Sequence, residues 1–217
     1  MTHQYENAAK WFLHMCETNN WSHGLYTYVA GICYAELARR DPNHPEYKEK
    51  ASQLLEKVPS LLQKRQSFAG KRIPFEQFVE RKLNRFRILA GSGPIINGIQ
   101  GPVTEEITYL LCNGQKRMRH PELQDSWKSL ELWSSNCQGE ELIALELMKS
   151  VVNRNEGKLD IAKERIETKI ITDGLNRKVQ LGSNDWVAGF AYYEVHSPAF
   201  NLLIIDGGYY VATKEAC

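Results

Sequence analysis

The chain has 217 residues, and its 27 Lys and Arg residues nearly balance its 26 Asp and Glu residues, for a formal net charge of +1. Hydrophobic residues make up 42% and charged residues 24%, a balance typical of globular domains and unlike that of disordered or collagen-like chains. The near-neutral charge gives no general indication of nucleic-acid binding. No apolar run approaches the roughly 20 residues that a membrane-spanning helix needs.

The cysteines and the N-terminus indicate a cytoplasmic protein. Cys16, Cys33, Cys112, Cys137 and Cys217 are odd in number and include no CxxC pair. We therefore expect a reducing compartment, with the first three as small core residues on helices rather than members of a disulfide or zinc framework. The polar start, MTHQYENAAKW, lacks the basic and apolar regions of a signal peptide.

Hydrophobic spacing predicts helices through the first part of the chain. Glu6–Glu17 has one apolar face, whereas Gly24–Arg40 is apolar nearly all round, as in a helix buried on most sides. Gly31, in the middle of that helix, predicts the close approach of a neighbouring helix. A further helix is predicted over Tyr47–Val58, and Leu61–Lys71 is predicted as a polar, basic connector.

The remainder of the chain also predicts helices, with two exceptions. Leu89–Pro102 contains the turn formers Gly91, Gly93, Pro94, Gly98 and Gly101 and is predicted as a loop. Ser197–Cys217 contains β-favouring residues on both sides of a DGG turn and is interpreted as a weak hairpin. Helices are predicted over Pro74–Arg87, Val103–Cys112, Pro121–Trp133, Glu140–Asn155, Leu159–Ile171 and Trp186–Val195.

Two predicted helix pairs share a packing pattern that resembles the tetratricopeptide repeat. The first pair is Gly24–Arg40 with Tyr47–Val58, and the second is Glu140–Asn155 with Leu159–Ile171. Each has a small residue where its two helices would touch, Ser150 in the second pair, and small and large apolar residues on its second helix. An ordinary helical bundle is the alternative interpretation. The residues that carry the pattern are Gly31, Tyr34, Ala51 and Leu55 in the first pair and Gly157, Leu159, Ala162 and Ile166 in the second.

Five segments, taken in chain order, resemble successive signatures of the inclusion body clearance protein / tetratricopeptide repeat protein 39 family. They are LYTYVAGICYAEL, KASQLLEKVPSLLQKR, GKRIPFEQFVERKL, PVTEEITYLL and NDWVAGFAYYE. The most specific pieces are Lys57–Arg65 (KVPSLLQKR) and Pro74–Lys82 (PFEQFVERK), because neither is generic repeat sequence. The resemblance extends over about residues 5–195, most of the chain.

The resemblance implies an all-α fold, a tetratricopeptide-like superhelix of antiparallel helix pairs over residues 1–195. The tail over residues 196–217 departs from the family pattern and is predicted to be atypical and non-helical. The resemblance also implies a non-enzymatic scaffold that needs no cofactor, binds other proteins and takes part in clearing protein inclusions. Residence in the cytoplasm or nucleus and peripheral association with lipid droplets or the mitochondrial outer membrane are further implications. Family members are much longer than this chain, so a truncated, non-functional fragment is an alternative.

No arrangement of polar residues predicts catalysis or a metal site. The six histidines lack the spacing of a zinc site, Gly91–Gly101 lacks the lysine of a phosphate-binding loop, and no GxSxG motif occurs. The acidic pairs Glu105-Glu106 and Glu140-Glu141 stand at predicted helix starts, where the helix dipole accounts for them. An enzyme with an unfamiliar site remains only a third hypothesis.

Residues 64–87 form a basic segment with eight basic and two acidic residues. One hypothesis is a surface for an anionic lipid or an acidic partner, which would make the protein a peripheral lipid-surface adaptor. The alternative is a solvated helix face, with the stem of Lys82 on the core and its ammonium group reaching water. The candidate residues are Lys64, Arg65, Lys71, Arg72, Arg81, Lys82, Arg85 and Arg87.

Overall fold

The computed structural model describes residues 3–69, 73–175 and 181–196, and every regular element within these ranges is helical. The prediction of an all-α fold is therefore confirmed, while the hairpin predicted over Ser197–Cys217 lies outside the described residues. The α-helices are α1 Tyr5–Thr18, α2 His23–Arg40, α3 Pro45–Ala69, α4 Pro74–Ala90, α5 Val103–Cys112, α6 His120–Trp133, α7 Glu140–Asn155, α8 Leu159–Arg165 and α9 Trp186–His196.

Helices α2 and α3 form a tightly packed antiparallel pair. A Cβ placed on Gly31 would lie 2.9 Å from Leu55 Cδ2, and one placed on Gly24 would lie 2.5 Å from Leu62 Cδ2. These contacts progress in opposite directions along the two helices, so the helices are antiparallel. Glycine permits this approach because it has no side chain to hold the two backbones apart.

Helix α3 continues through Pro59 to Ala69, so the predicted end at Val58 and the connector predicted over Leu61–Lys71 are wrong for residues 61–69. A proline inside a helix removes one backbone hydrogen bond and normally favours a break. Here Leu62 packs against α2 within one turn of the proline. This tertiary contact stabilises the helix beyond the point at which the local pattern ends.

Helices α7 and α8 form a second antiparallel pair. The Ser150 hydroxyl on α7 donates a hydrogen bond to the Ala162 carbonyl on α8 at 2.8 Å. Between the helices, Gly157 has a φ of 79°, in the left-handed region that glycine tolerates at helix ends. Beyond α8 the chain winds as a π-helix over Ile166–Leu175, where the sequence predicted regular α-helix to Ile171.

The core consists of two apolar clusters that meet at α5. One cluster is built by α1 to α5 and the turn Ile95–Gly98, and the other by α5, α6, α7, the π-helix Ile166–Leu175 and α9. Ile99, Leu110 and Trp186 contact both clusters. The two sets of helices are therefore joined by continuous apolar packing.

A candidate binding groove and the charged core

A groove of about 260 Å³ opens between α2, the turn Ile95–Gly98 and the end of α6. Part of its wall is apolar, because α2, the turn and α5 all present aliphatic side chains to it. The rim also carries cationic side chains. We call it the α2 groove, and the residues that define it below are Ile32, Ala35, Glu36, Arg39, Lys48 and Trp133.

Glu36 holds two guanidinium groups beside the α2 groove. Arg39 donates to its carboxylate at 2.5 and 2.9 Å, and Arg40 donates at 2.7 Å. The Ser129 hydroxyl on α6 donates to the same carboxylate at 3.2 Å. Burial acts to raise the pKa of Glu36, but the hydrogen bonds and charges of Arg39 and Arg40 outweigh it, so the pKa lies below its usual range. The carboxylate therefore remains ionised between two cations.

Trp133 contributes an aromatic wall to the α2 groove, and its indole carries a buried hydrogen-bond donor. The Arg39 guanidinium lies 5.0 Å from the centre of its ring, a cation–π contact. Trp133 is only 8% exposed, yet its indole Nε1 has no acceptor within the described part of the chain. The groove thus combines aliphatic and aromatic walls with positive charge, an arrangement suited to binding a protein segment.

A separate set of charges lies buried where α4, α5 and α7 meet. Lys82 Nζ lies 2.8 Å from a Glu106 carboxylate oxygen and 3.3 Å from a Glu141 carboxylate oxygen, and none of the three side chains is more than 2% exposed. Burial disfavours the charged form of Lys82, but the two carboxylates prevail and raise its pKa. Burial raises the pKa of Glu106 to about 7, with Lys82 opposing the rise and Glu141 adding to it.

The acidic residues at the starts of α5 and α7 point into the core. Glu140 forms an ion pair with Arg85 at 2.8 Å and accepts hydrogen bonds from the Ser183 hydroxyl at 3.0 Å and the Asn184 backbone N–H at 3.1 Å. Glu105 accepts from Gln115 at 3.2 Å. The helix-dipole interpretation of the two acidic pairs was therefore incomplete, because all four carboxylates are buried and bound by groups from other elements.

These buried ion pairs are the main feature that the sequence analysis missed. A signal was present in α4, where Lys82 is spaced four residues from both Phe78 and Phe86 and shares their buried face. The prediction that the Lys82 ammonium reaches water is wrong, because two carboxylates bind it inside the core. A lysine in register with an apolar stripe, together with paired acids elsewhere, was the available signal.

The four candidate basic residues whose side chains the structure describes do not form a surface of unpaired cations. Arg81 lies 3.1 Å from Asp185, and Arg87 lies 2.7 Å from Glu56. With Arg85 bound to Glu140 and Lys82 buried, these four cations all have carboxylate partners. Of the others, Lys64 and Arg65 lie on α3 with side chains outside the described part, and Lys71 and Arg72 lie outside the described residues.

The candidate repeat-packing residues lie at the contacts between paired helices. Ala51 and Leu55 are fully buried against α2, and Tyr34 stacks on Tyr47 with ring centroids 6.2 Å apart. Ala162 and Ile166 are fully buried in the second pair. Gly157 occupies the turn before α8, and Leu159 begins that helix with a partly buried side chain.

The cysteines whose side chains the structure describes, Cys16, Cys33 and Cys137, are placed as hydrophobic residues rather than as reactive groups. Cys33 is fully buried, as expected, Cys16 is half-buried, and the Cys112 side chain lies outside the described part. Burial raises the pKa of Cys33 and Cys137 to about 12, which disfavours the reactive thiolate. The described residues contain no group of three or more His, Cys, Asp or Glu side chains that could hold a metal ion.

None of the helices in the described ranges is long and apolar enough to cross a membrane.

Comparison with known proteins adds a family match. The family model described as Iml2/Tetratricopeptide repeat protein 39 matches residues 1–156. The inclusion body clearance protein iml2 of Aspergillus niger is 30% identical over 208 residues, which cover 89% of this chain and 30% of the relative. The inclusion body clearance protein IML2 of Kluyveromyces lactis is 30% identical over 88% of this chain and 30% of its own length.

An IML2-like protein of Saccharomyces cerevisiae is 30% identical over 94% of this chain and 31% of its own length. The chain therefore spans about 30% of the length of the curated relatives it matches. No solved structure matches the chain.

Proposed function

Because the chain belongs to the Iml2/Tetratricopeptide repeat protein 39 family, we propose that it is a non-enzymatic scaffold that binds other proteins during the clearance of protein inclusions. The observation that carries this proposal is the α2 groove, where an apolar wall lies beside cationic side chains and beside the buried Trp133 indole N–H, which has no acceptor in the described part of the chain. Relatives named as inclusion body clearance proteins support the cellular process.

The pattern of charges supports a structural rather than a catalytic use of the buried ionisable groups. Lys82, Arg85 and Arg154 each contact a buried carboxylate, and these pairs connect helices that are distant in sequence. Removing one partner of such a pair destabilises a fold, because the other charge is left buried without compensation. We therefore assign no catalytic residue and no cofactor to this chain.

The proposed location is the cytoplasm or nucleus, with peripheral association with lipid droplets or the mitochondrial outer membrane, as the family resemblance implies. The alternative, a lipid-surface adaptor acting through residues 64–87, has weaker support. Arg81, Arg85 and Arg87 each lie beside a carboxylate, and Lys82 is buried. We therefore assign binding to the α2 groove rather than to this segment.

The test is recruitment to inclusions and their clearance in yeast that lacks its own relative. Cells carry a fluorescent misfolding reporter and express the full chain, the groove variant Arg39→Glu/Lys48→Glu, or the control Lys57→Glu. We expect the wild-type chain and the control to collect at inclusions and shorten their lifetime, and the groove variant to do neither. Absence of the folded wild-type chain from inclusions, with unchanged lifetimes, would contradict the proposal.

A further inference from the structure

We propose that the α2 groove binds a partner segment in which acidic side chains stand beside aliphatic ones. This inference rests on the proposed scaffold function and names the chemistry of the partner. Three features of the groove carry it: a surplus of positive charge, the buried Trp133 indole N–H, which has no acceptor among the described residues, and an aliphatic wall of limited volume.

The charges at the groove favour an acidic partner. Glu36 is the acidic side chain that lines it, and this one carboxylate already binds both Arg39 and Arg40. The Arg39 side chain remains 25% exposed, and none of its hydrogen bonds in the described structure uses Nη1. Lys48 is exposed, with no carboxylate partner within the described residues. A carboxylate arriving here gains charge-assisted hydrogen bonds without displacing an existing one.

Trp133 supplies independent support. Buried N–H groups in proteins are nearly always hydrogen-bonded, to protein, to ordered water or to a ligand. The Trp133 side chain lines the groove, is more than nine-tenths buried and has no acceptor for Nε1 within the described ranges. An incoming segment offers acceptors in its carboxylates and its backbone carbonyls.

The apolar part of the groove determines what else the segment carries. Ile32, Ala35, Ile96 and Val103 contribute to the lining. The groove's volume of about 260 Å³ is smaller than pockets that enclose small molecules, which start at about 300 Å³. It suits one or two aliphatic side chains of a peptide, with the rest of the peptide remaining outside. Alternating acidic and aliphatic residues would satisfy both the rim and the wall.

The test uses fluorescein-labelled peptides and fluorescence anisotropy with the full chain. The probe DLDELLD carries both features, KLKKLLK reverses the charge, and DGDEGGD removes the aliphatic side chains. We expect wild-type protein to bind the first peptide with a Kd that weakens as salt is added, since screening reduces the attraction between exposed charges. The second peptide should not bind, and the third should bind at least about fivefold more weakly.

Lys48 and Lys57 provide a matched pair of variants on α3. Both lysines are exposed, and nine residues separate them, which places them on opposite sides of the helix. We expect Lys48→Glu to weaken DLDELLD binding about tenfold and Lys57→Glu to leave it within about twofold. Equal affinities for the two variants, or tighter binding of KLKKLLK, would overturn the proposal.

A second readout locates the peptide at the groove. The chain has five tryptophans, and Trp133→Phe identifies the indole N–H signal of Trp133 in a ¹H–¹⁵N NMR spectrum. We expect that signal to shift on addition of DLDELLD, because the indole acquires an acceptor. Failure of the folded wild-type chain to bind the peptide, despite its recruitment to inclusions in cells, would overturn this inference and leave the scaffold proposal standing. Loss of recruitment as well would overturn both.

Discussion

The ammonium group of Lys82 is shared by the buried carboxylates of Glu106 and Glu141. When all three groups are ionised, the three side chains together carry one surplus negative charge. The groups facing them are the Tyr28 hydroxyl, the Cys137 thiol and the Glu140 carboxylate, which is bound by Arg85. No cation in that set is left to balance the surplus. Burial of the Glu106 carboxylate raises its pKa to about 7, and the neighbouring Glu141 charge adds to the rise, so proton uptake by Glu106 removes the surplus.

The protonation of Glu106 predicts a pH-dependent stability. Its pKa rises from 4.5 to about 7 in the folded protein, so the folded state binds this proton more tightly than the unfolded state. The stabilisation is present at low pH and is lost as pH rises from about 4.5 to about 7. Glu106→Gln has a neutral side chain at every pH. Relative to this variant, the free energy of unfolding of the wild type should fall by about 2–3 kcal/mol between about pH 5 and about pH 8.

Urea denaturation of both proteins at the two pH values measures this difference. If the free energies of unfolding of the wild type and Glu106→Gln change equally with pH, a group other than Glu106 is responsible for the pH dependence. The exposed His44, whose hydrogen bond and charge interaction with Glu46 raise its pKa, contributes equally to both proteins and cancels in the comparison.

Removing the Lys82 ammonium group should lower the free energy of unfolding more than removing one of its two carboxylate partners does. Lys82→Met leaves Glu106 and Glu141 buried without a cation, and we expect it to lower the free energy of unfolding by about 3–5 kcal/mol. Adding Glu106→Gln and Glu141→Gln to this variant should recover most of the loss. Chemical denaturation provides the measurement, and Lys57→Met on the surface should change stability by less than about 0.5 kcal/mol. A similar loss in the triple variant would point to packing rather than charge.

At the scale of elements, the turn Ile95–Gly98 is locked onto the preceding helix by one glycine. A Cβ on Gly98 would overlap the backbone carbonyl of Phe86, a group that cannot turn aside as a side chain would. This turn places Ile95 in the core and Ile96 in the lining of the α2 groove. A small backbone feature therefore shapes the candidate binding surface.

Two glycine-to-alanine substitutions should therefore change the stability of the fold in opposite directions. We expect Gly98→Ala to lower stability by about 3 kcal/mol, because the turn must move away from α4. Gly189 lies in the exposed part of α9, where a Cβ would meet no atom of the described residues within 4 Å. Gly189→Ala should raise stability by about 0.5–1 kcal/mol through helix propensity. Thermal unfolding of both variants tests the pair, and a loss of stability in each would refute the packing argument.

The helices were predictable where local pattern and packing agree. The predicted bounds of α5 and α7 coincide with those observed, since their apolar periodicity ends at residues that also end the packed face. The length of α3 was not predictable locally, because it depends on Leu62 packing against Gly24, far away in sequence. The α2 groove was equally hidden, since its walls come from five separate parts of the chain.

At the scale of the molecule, Glu194 ties the last described helix to the rest. Its carboxylate accepts from the Tyr109 hydroxyl on α5 and lies beside Arg154 on α7, each at 2.7 Å. Glu194 is only 1% exposed. Trp186, at the start of the same helix, contacts both apolar clusters. Both ends of α9 are therefore fixed to the core.

This anchoring predicts a localised change in dynamics. In Glu194→Leu, Arg154 loses its buried partner, and we expect amide hydrogen exchange across residues 186–196 to accelerate at least about tenfold. Exchange in α2, which has no contact with this carboxylate, should remain unchanged. Tyr109→Phe removes one hydrogen bond and leaves the ion pair, so it should produce a smaller acceleration. Uniform acceleration over the whole chain would show that α9 unfolds only with the entire molecule.

The charges buried between α4, α5 and α7 have a thermal consequence. Unfolding exposes them to water together with the apolar core, and hydration of polar surface lowers the heat-capacity change that hydration of apolar surface raises. The cost of burying ions also falls as temperature rises, because their hydration becomes less favourable. The curve of stability against temperature is accordingly flatter than for a chain of equal length with an entirely apolar core. Measured by calorimetry, warming should lower the free energy of unfolding of this protein by a smaller fraction than it does for that chain.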